Sequence, residues 1–381
     1  MLRAPRLGGI FAAVAVSLTG CGPTPVGAPE RELDDAGATR SDLVSGDHVP
    51  PDAAMPDHAE SAVDAAASDT WLAVDAAIGA DLVSPDQGIG DSAELPTGVD
   101  PTTSGSHTWT EVAGTATRVD RQIPVQALRP DDAPLGVVVF LPGFQLEASR
   151  YSALQEHLAS HGFAVLGADP PASLLSADHV AMALDVGVVF DWALAADGPL
   201  AGLDASLPWA VAGHSLGGKV AVMAAARDPR VDAVLAIDPV NGAGNGDYTE
   251  SRPDIVPDEV APLGIPLGFA GETTNSSGGL GGACAPLDQN FQTFFAAAAT
   301  SPAAFEWDFT GADHMDFVDD TSLCLACAAC PDGSADAAQV QAGMRTLAAA
   351  FLLTHLAGRA DLQRYLDGDA VPAGVVAGSG P

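Results

Sequence analysis

The stretch that decides the fold is V-A-G-H-S-L-G-G-K-V, residues 211–220, in which Ser215 stands between Gly213 and Gly217. An apolar run that favours a strand precedes the serine, and an apolar run that favours a helix follows it. A serine in a G-x-S-x-G turn between a strand and a helix is raised above the edge of a sheet, where its hydroxyl can attack a substrate. The two glycines remove side chains that would clash across so sharp a turn. The stretch therefore predicts a nucleophile at Ser215.

Strands and helices alternate on both sides of this turn. The predicted strands are residues 135–141, 162–168, 208–213, 231–237, 265–270 and 305–309, and the predicted helices are residues 150–161, 180–195, 216–227, 287–299 and 338–355. Continuous apolar runs are typical of strands buried on both faces of a parallel sheet, and the intervening helices then cover both faces. For residues 107–381 we predict an α/β fold, a mostly parallel central sheet flanked by helices. Its functional site should lie at the carboxyl ends of the strands.

A nucleophilic serine needs a histidine base and an acid that orients it. With this kind of turn, the chain order is serine, then acid, then histidine. Among the histidines after Ser215, His314 is the one in a loop that follows a predicted strand, G-A-D-H-M-D-F. The acid has two candidates, Asp238 and Glu272, each at the end of a predicted strand. Position alone does not choose between them.

Two backbone N–H groups are expected to stabilise the oxyanion that forms when the serine attacks a carbonyl. One belongs to Leu216, the residue after the nucleophile. The other belongs to Phe144, because Gly143 lets the backbone after the strand 135–141 approach closely. Phe144 and Gln145 would then also line the substrate cleft.

The amino terminus is typical of an export signal over residues 1–20, since Arg3 and Arg6 precede a short apolar run that ends in L-T-G-C. The cysteine after the predicted cleavage point resembles the lipobox of bacterial lipoproteins. We therefore expect Cys21 to carry lipid that anchors the protein in a membrane, at the outer membrane or cell surface, with the periplasmic face as the alternative.

Residues 21–106 have the composition of a disordered acidic tether. Between residues 22 and 100 there are 17 acidic residues against two arginines and no lysine. Such a segment buries too little apolar surface to fold, and its charges repel one another. The whole chain has a formal net charge of −35, which argues against nucleic acid as a partner.

Four cysteines lie in the predicted domain, namely Cys284, Cys324, Cys327 and Cys330. An even number of cysteines in an exported protein favours disulfides, and four allow three pairings. A bond from Cys284 to one of the other three would brace the loop after His314. A metal or cluster site built on C-x-x-C-x-x-C is the alternative.

Several blocks, in order, resemble the chlorophyllase branch of the α/β-hydrolases. They are P-G-F at 142–144, H-L-A-S-H-G-F-A-V at 157–165, G-H-S-L-G-G-K at 213–219, D-P-V-N-G at 238–242, C-A-P at 284–286 and H-M-D-F-V-D-D at 314–320. The resemblance implies an α/β-hydrolase fold, ester hydrolysis and a triad of Ser215, His314 and Asp238, because the aspartate of the D-P-V block is the acid in that family. Members usually have histidine where Pro142 stands and arginine where Leu216 stands.

Together these features predict a surface-tethered serine carboxylic-ester hydrolase, an esterase or lipase that takes a hydrophobic ester and needs no metal or organic cofactor. A polyester or triacylglycerol hydrolase is the alternative among enzymes. A lipoprotein that uses the fold to bind a ligand without catalysis is the alternative from another class. We expect a monomer.

Overall fold

The computed structural model describes residues 98–172, 177–243, 247–279, 283–322, 324 and 327–380. The predicted export signal, Cys21 and the tether up to residue 97 lie outside the described residues.

A central sheet organises the described part of the chain, within which it has nine strands. These are β1 Trp109–Arg118, β2 Arg121–Pro130, β3 Gly136–Leu141, β4 Phe163–Ala168, β5 Trp209–His214, β6 Val231–Ile237, β7 Leu267–Gly271, β8 Ala304–Phe309 and β9 Val375–Ser379. Their order across the sheet is β1-β2-β4-β3-β5-β6-β7-β8-β9. The strands from β4 to β8 in that order pair in parallel, and the pairs β1–β2, β2–β4 and β8–β9 are antiparallel.

Helices cover both faces of the sheet. They are α1 Ser152–Ser160, α2 His179–Leu194, α3 Leu216–Ala225, α4 Phe291–Ala297 and α5 Ala337–Leu356. In β3, Val137 and Val139 belong to the core cluster that includes residues of α2, α3 and α4, whereas Val138 and Phe140 belong to the cluster that includes residues of α1 and α5. Because successive residues of a strand point to opposite faces, a strand buried on both faces must be apolar throughout. The predicted α/β fold with a mostly parallel central sheet is therefore confirmed.

The edges of the sheet hold elements that the sequence did not predict, the β1–β2 hairpin and β9. Most side chains of β1 are exposed or half-buried, so its sequence lacks the apolar run of a central strand. The turn between β1 and β2 places Val119 at φ 52°, where hairpins normally use glycine or asparagine. Both usual signals for a hairpin are therefore missing.

The packed part of the chain begins before residue 107, where the sequence placed the domain boundary. The carbonyl of Pro101 lies 3.0 Å from His157 Nε2, and Gly105 N donates to Ser160 Oγ at 2.9 Å. These contacts use backbone atoms of the incoming segment, so its polar composition does not reveal them. In the described part of the chain, no helix combines the length and apolar character that crossing a membrane requires.

Candidate active site

Ser215 forms the sharp turn between β5 and α3. Its backbone has φ 55° and ψ −118°, a strained conformation for a residue with a side chain. The Ser215 N–H donates to the Ile237 carbonyl at 2.9 Å, which ties the turn to the end of β6. The side chain is thus held at the amino terminus of α3 and at the carboxyl edge of the sheet.

The glycines of the motif are required by close backbone contacts. A Cβ on Gly213 would lie 2.5 Å from the backbone of Gly217, and a Cβ on Gly217 would lie 2.2 Å from the Leu141 carbonyl oxygen. Neither contact can be relieved by rotating a side chain. The spacing G-x-S-x-G therefore reflects the packing of α3 against the ends of β3 and β5.

Ser215, His314 and Asp238 form one hydrogen-bonded chain. His314 Nε2 lies 2.9 Å from Ser215 Oγ, and His314 Nδ1 lies 2.6 Å from Asp238 Oδ2. An ionised carboxylate can only accept, so Nδ1–H donates to Asp238 and the Nε2 lone pair faces the serine hydroxyl. Asp238 is fully buried and His314 is buried. In this arrangement the imidazole can take the serine proton, and the buried aspartate can stabilise the resulting positive charge.

Glu272, the other acid candidate, is buried close to this chain but is bonded elsewhere. Its Oε2 accepts from Asn275 N at 2.8 Å. Burial raises the pKa of Glu272 to about 8, and the nearby Asp238 carboxylate contributes to the shift. Glu272 is therefore a neutral carboxylic acid at neutral pH, and the contact with the imidazole belongs to Asp238.

One group of side chains in the described residues has the spacing for a metal ion. Ligand atoms of Asp238, Glu272 and His314 lie within 4.8 Å of one another. The Nδ1 of His314 and Oδ2 of Asp238 already bond to each other, and the remaining member is a neutral carboxyl. The donor set therefore suits proton transfer better than metal binding.

The backbone of His314 is held by long-range contacts. Its N–H donates to Asn275 Oδ1 at 2.9 Å. Asp313, which precedes it, accepts from Gly333 N at 2.7 Å through Oδ2. The acidic neighbour of the histidine thus positions the loop and leaves the imidazole to Asp238.

A second histidine links the Phe144 loop to the His314 loop. His214 Nε2 lies 3.0 Å from the His314 carbonyl oxygen, and His214 Nδ1 lies 2.8 Å from Tyr151 Oη. Burial lowers the pKa of His214 well below its usual value, so the ring is neutral. Since a carbonyl only accepts, Nε2–H is the donor and Nδ1 accepts from the tyrosine. The Tyr151 oxygen in turn accepts from Gly143 N at 3.2 Å.

Lys219 supports the segment after Asp238 from within α3. Its side chain is fully buried, and Nζ donates to the carbonyls of Asn241 at 2.7 Å and Pro253 at 2.6 Å. Burial lowers the pKa of Lys219 to about 8, so the ammonium group is still charged at neutral pH and has three N–H groups that can donate hydrogen bonds. The lysine therefore fixes the loop that leads away from the acid.

The two predicted oxyanion groups lie beside Ser215 with their backbone N–H groups available. In the described residues, no acceptor takes a hydrogen bond from the N–H of Phe144 or Leu216. Leu216 begins α3, where the first N–H groups have no partner within the helix. Phe144 lies in the loop after β3, and its side chain is 39% exposed.

A cavity of about 170 Å³ opens at the serine. Ser215 and His314 form its floor, and Phe144, Leu146 and Met315 contribute apolar wall. Gln145, which we expected to line this cleft, instead lines a neighbouring cavity. Its backbone has φ 61°, and whether it contacts the substrate depends on whether the substrate reaches that second cavity.

Both disulfides of the described chain lie next to this cavity. Cys284 bonds to Cys330 across 46 residues, and Cys324 bonds to Cys327. Cys284, Cys327 and Cys330 contribute to the cavity wall. The prediction that Cys284 joins one of the other three cysteines is confirmed, and the pairing answers a question that the spacing left open.

Sequence reasoning missed several supporting residues, among them Tyr151, Asn275 and Lys219. Tyr151 and Asn275 act through tertiary contacts and carry no local signal. Lys219 had one, since an ionisable residue four positions after the nucleophile falls on the buried face of an otherwise apolar helix. A buried ammonium group needs hydrogen-bond acceptors, and here they are the backbone carbonyls of the loop after Asp238.

Comparison with known proteins gives a consistent result. Residues 103–374 match the family model described as Chlorophyllase. Chlorophyllase-1 of Arabidopsis thaliana is 32% identical over an alignment of 216 residues, with 48% of this chain and 59% of the relative covered. Chlorophyllase-2 of the same plant is 30% identical, with 48% and 61% covered, and the chloroplastic chlorophyllase-1 of Citrus unshiu is 31% identical, with 48% and 56% covered. The match thus spans less than two thirds of the length of these relatives.

Proposed function

The chain belongs to the chlorophyllase family, and from that membership and the geometry around Ser215 we propose that it hydrolyses carboxylic esters through an acyl-enzyme. The observation that carries the proposal is the continuous hydrogen-bonded chain from Ser215 Oγ through His314 to the buried Asp238. A serine is a weak nucleophile until a positioned base accepts its proton. The three side chains provide that base and the charge that stabilises it.

The proposed reaction has two halves. Ser215 Oγ attacks the ester carbonyl while its proton moves to His314 Nε2, and the N–H groups of Phe144 and Leu216 stabilise the oxyanion. The tetrahedral intermediate collapses, the carbon–oxygen bond to the alcohol breaks, and the imidazolium donates its proton to the departing alkoxide. Water then attacks the acyl-serine with His314 as base, which releases the acid and restores the serine.

The substrate proposed for this site is an ester with a hydrophobic arm. The cavity above Ser215 is lined by apolar side chains and cystines, which favours an apolar group of limited size. The curated relatives are named chlorophyllases, and this chain differs from their usual motif at Pro142 and Leu216. A polyester or triacylglycerol hydrolase is therefore a second candidate within the same chemistry.

We also propose that the protein is exported and tethered by lipid on Cys21. Two disulfides in the described residues support this proposal, because such bonds persist in oxidising compartments. Radiolabelled palmitate should enter the wild type and not Cys21→Ser. Equal labelling of both proteins would exclude the anchor.

The decisive test of the enzyme proposal is labelling with a fluorescent fluorophosphonate, which reacts only with an activated serine. The wild type should be labelled and should hydrolyse p-nitrophenyl esters. Ser215→Ala should lose both properties, with turnover reduced about 10⁶-fold. Ser149→Ala, at an exposed serine, is the matched control and should behave as wild type. A folded wild type that is not labelled would favour the ligand-binding alternative.

The identity of the acid is tested by two isosteric changes. Asp238→Asn should lower kcat about 10⁴-fold, because an amide cannot stabilise the imidazolium and permits the wrong tautomer. Glu272→Gln should retain most of the activity, because Glu272 is already neutral at pH 7. The reverse order of the two effects would assign the acid to Glu272.

A further inference from the structure

A second cavity, of about 130 Å³, adjoins the one that contains the serine hydroxyl. Gly143, Phe144 and Leu146 line both cavities and so form the wall between them. Ser215 lines the first cavity, whereas its neighbour Leu216 lines the second. The wall therefore lies where the proposed reaction places the carbonyl oxygen of the substrate.

This position matters for the direction of the two ester arms. A carbonyl carbon is planar, and its two substituents point away from each other and from the oxygen. With the oxygen at the N–H groups of Phe144 and Leu216 and the carbon at Ser215 Oγ, the two arms diverge from a point that borders both cavities. The two cavities thus match the two arms of one ester.

The two cavities differ in their chemistry. The first is lined by apolar side chains and cystines. The second is lined by Asp169, just after β4, and by Gln145, together with apolar residues that include Pro170 and Met182. Asp169 Oδ1 accepts from Ala148 N at 2.7 Å, which leaves most of the accepting capacity of the carboxylate unused by that bond.

Asp169 also lacks a cationic partner among the described residues, because none of their ion pairs includes it. Burial raises the pKa of Asp169 to about 6, so at neutral pH the group is ionised. A carboxylate beside apolar side chains gains most from a ligand that donates a hydrogen bond. A cavity of about 130 Å³ is small, so it suits a short arm.

We propose that the second cavity is a subsite for an ester arm that carries a hydroxyl or ammonium group, which donates to Asp169 while the apolar arm occupies the cavity at Ser215. The substrate class is then an ester with one apolar arm and one short arm that ends in a hydrogen-bond donor. This inference rests on the proposed ester hydrolysis and specifies which esters the same site prefers.

The test uses two matched sets of esters with the full-length protein. In the first set, hexanoic acid is esterified with propanol, ethylene glycol or ethanolamine, so that a methyl, hydroxyl or ammonium group ends an arm of equal length. In the second set, hexanol is esterified with butyric, 3-hydroxypropanoic or 3-aminopropanoic acid. In one of the sets, kcat/KM should be about ten- to hundred-fold higher for the donor-bearing esters, as expected for hydrogen bonds to a charged group.

Two variants separate Asp169 from general effects. Asp169→Leu should lose the preference for donor-bearing esters, measured within that variant as the ratio of kcat/KM between donor-bearing and plain esters. Asp169→Asn, which can still accept from Ala148 N, should lose most of the ammonium preference. Fluorophosphonate labelling of each variant reports whether Ser215 is still active, so a loss of folding is recognised as such.

The outcomes distinguish this inference from the proposal on which it rests. If the wild type hydrolyses the plain esters with no preference in either set, the subsite is wrong and ester hydrolysis stands. The same conclusion follows if Asp169→Leu keeps the preference. If the wild type is neither labelled nor active on any ester, the enzyme proposal and the subsite are both wrong.

Discussion

The two sides of the candidate site are held in place by different means. On the nucleophile side, Ser215 is held inside a tight turn of neighbouring residues, where a Cβ on Gly213 would lie 2.5 Å from the backbone of Gly217. On the histidine side, His314 is positioned by residues far away in sequence, through Asn275 Oδ1 and His214 Nε2. The segment beyond it is crosslinked to Cys284 across 46 residues.

This difference has a physical origin. A strand followed at once by a helix closes a short turn, so few conformations are compatible with the packing of α3 on β3 and β5. The histidine follows β8 in a long loop, and such a loop has large conformational entropy unless other contacts restrain it. We therefore expect a single methyl group added on the nucleophile side to destabilise the folded protein strongly. On the histidine side, stability and reactivity should fall in smaller steps as the restraints on the His314 loop are removed one at a time.

The largest effect is expected for Gly217→Ala. Because the new Cβ would overlap backbone atoms of Leu141 and Pro142, strand or helix must shift, at a cost of about 4 kcal/mol or more in the free energy of unfolding. Urea denaturation followed by circular dichroism measures this value. Gly264→Ala is the matched control, since a Cβ there has nothing within 4 Å, and it should change stability by less than about 0.5 kcal/mol. Equal effects at both glycines would contradict the close backbone packing of the nucleophile side.

An intermediate effect is expected when the long-range crosslink is removed. The double variant Cys284→Ser/Cys330→Ser opens a loop of 46 residues and should lose about 2 to 4 kcal/mol of stability. It should also be labelled more slowly by a fluorophosphonate, because the segment that supports the His314 loop is less restrained.

The control is Cys324→Ser/Cys327→Ser, whose loop spans only three residues in sequence separation. Since the entropy of loop closure grows with loop length, its loss should be about half as large. Identical stability and labelling rates for both double variants would show that the long crosslink does not support the histidine side.

A third effect is a pH dependence of stability, and it concerns the neutral Glu272 behind the histidine side. Its pKa is raised from 4.5 to about 8 in the folded protein, so between these values the folded state holds a proton that the unfolded state has released. Stability should therefore fall as pH rises from about 4.5 to about 8. Denaturation at several pH values measures the slope, which should flatten in Glu272→Gln. Glu111→Gln, at an exposed position in β1, should keep the wild-type slope, and an unchanged slope in Glu272→Gln would contradict the prediction.

The central sheet was readable from the sequence because its strands are apolar on both faces. The run G-V-V-V-F-L of β3 is buried at every position, and a pattern without alternation is what such burial requires. The β1–β2 hairpin escaped prediction because edge strands face solvent and its turn uses Val119 at a positive φ. An element that packs against the core on only one side has a weaker hydrophobic pattern in its sequence.

The candidate site was predictable where one residue is tied to a local motif. Ser215 follows from its turn, and His314 from chain order and from the strand that precedes it. The choice between Asp238 and Glu272 was not available from position, since both end a strand in the same region. The family resemblance favoured Asp238, and the structure agrees through the contact at 2.6 Å between Asp238 and His314 and the Asn275 bond of Glu272.

By itself, the sequence determined the α/β sheet, the nucleophile turn and the types of side chain that the chemistry needs, because hydrophobic periodicity and tight turns are local properties. The tertiary structure decided how the cysteines pair and that Tyr151 and His214 join the Phe144 loop to the His314 loop, and it brought Asp238, the acid that the family resemblance implied, against the imidazole. It also placed Asp169 in a cavity separated from Ser215 by a shared wall. These are distances between residues remote in sequence, and such distances exist only once the strands have taken their order in the sheet.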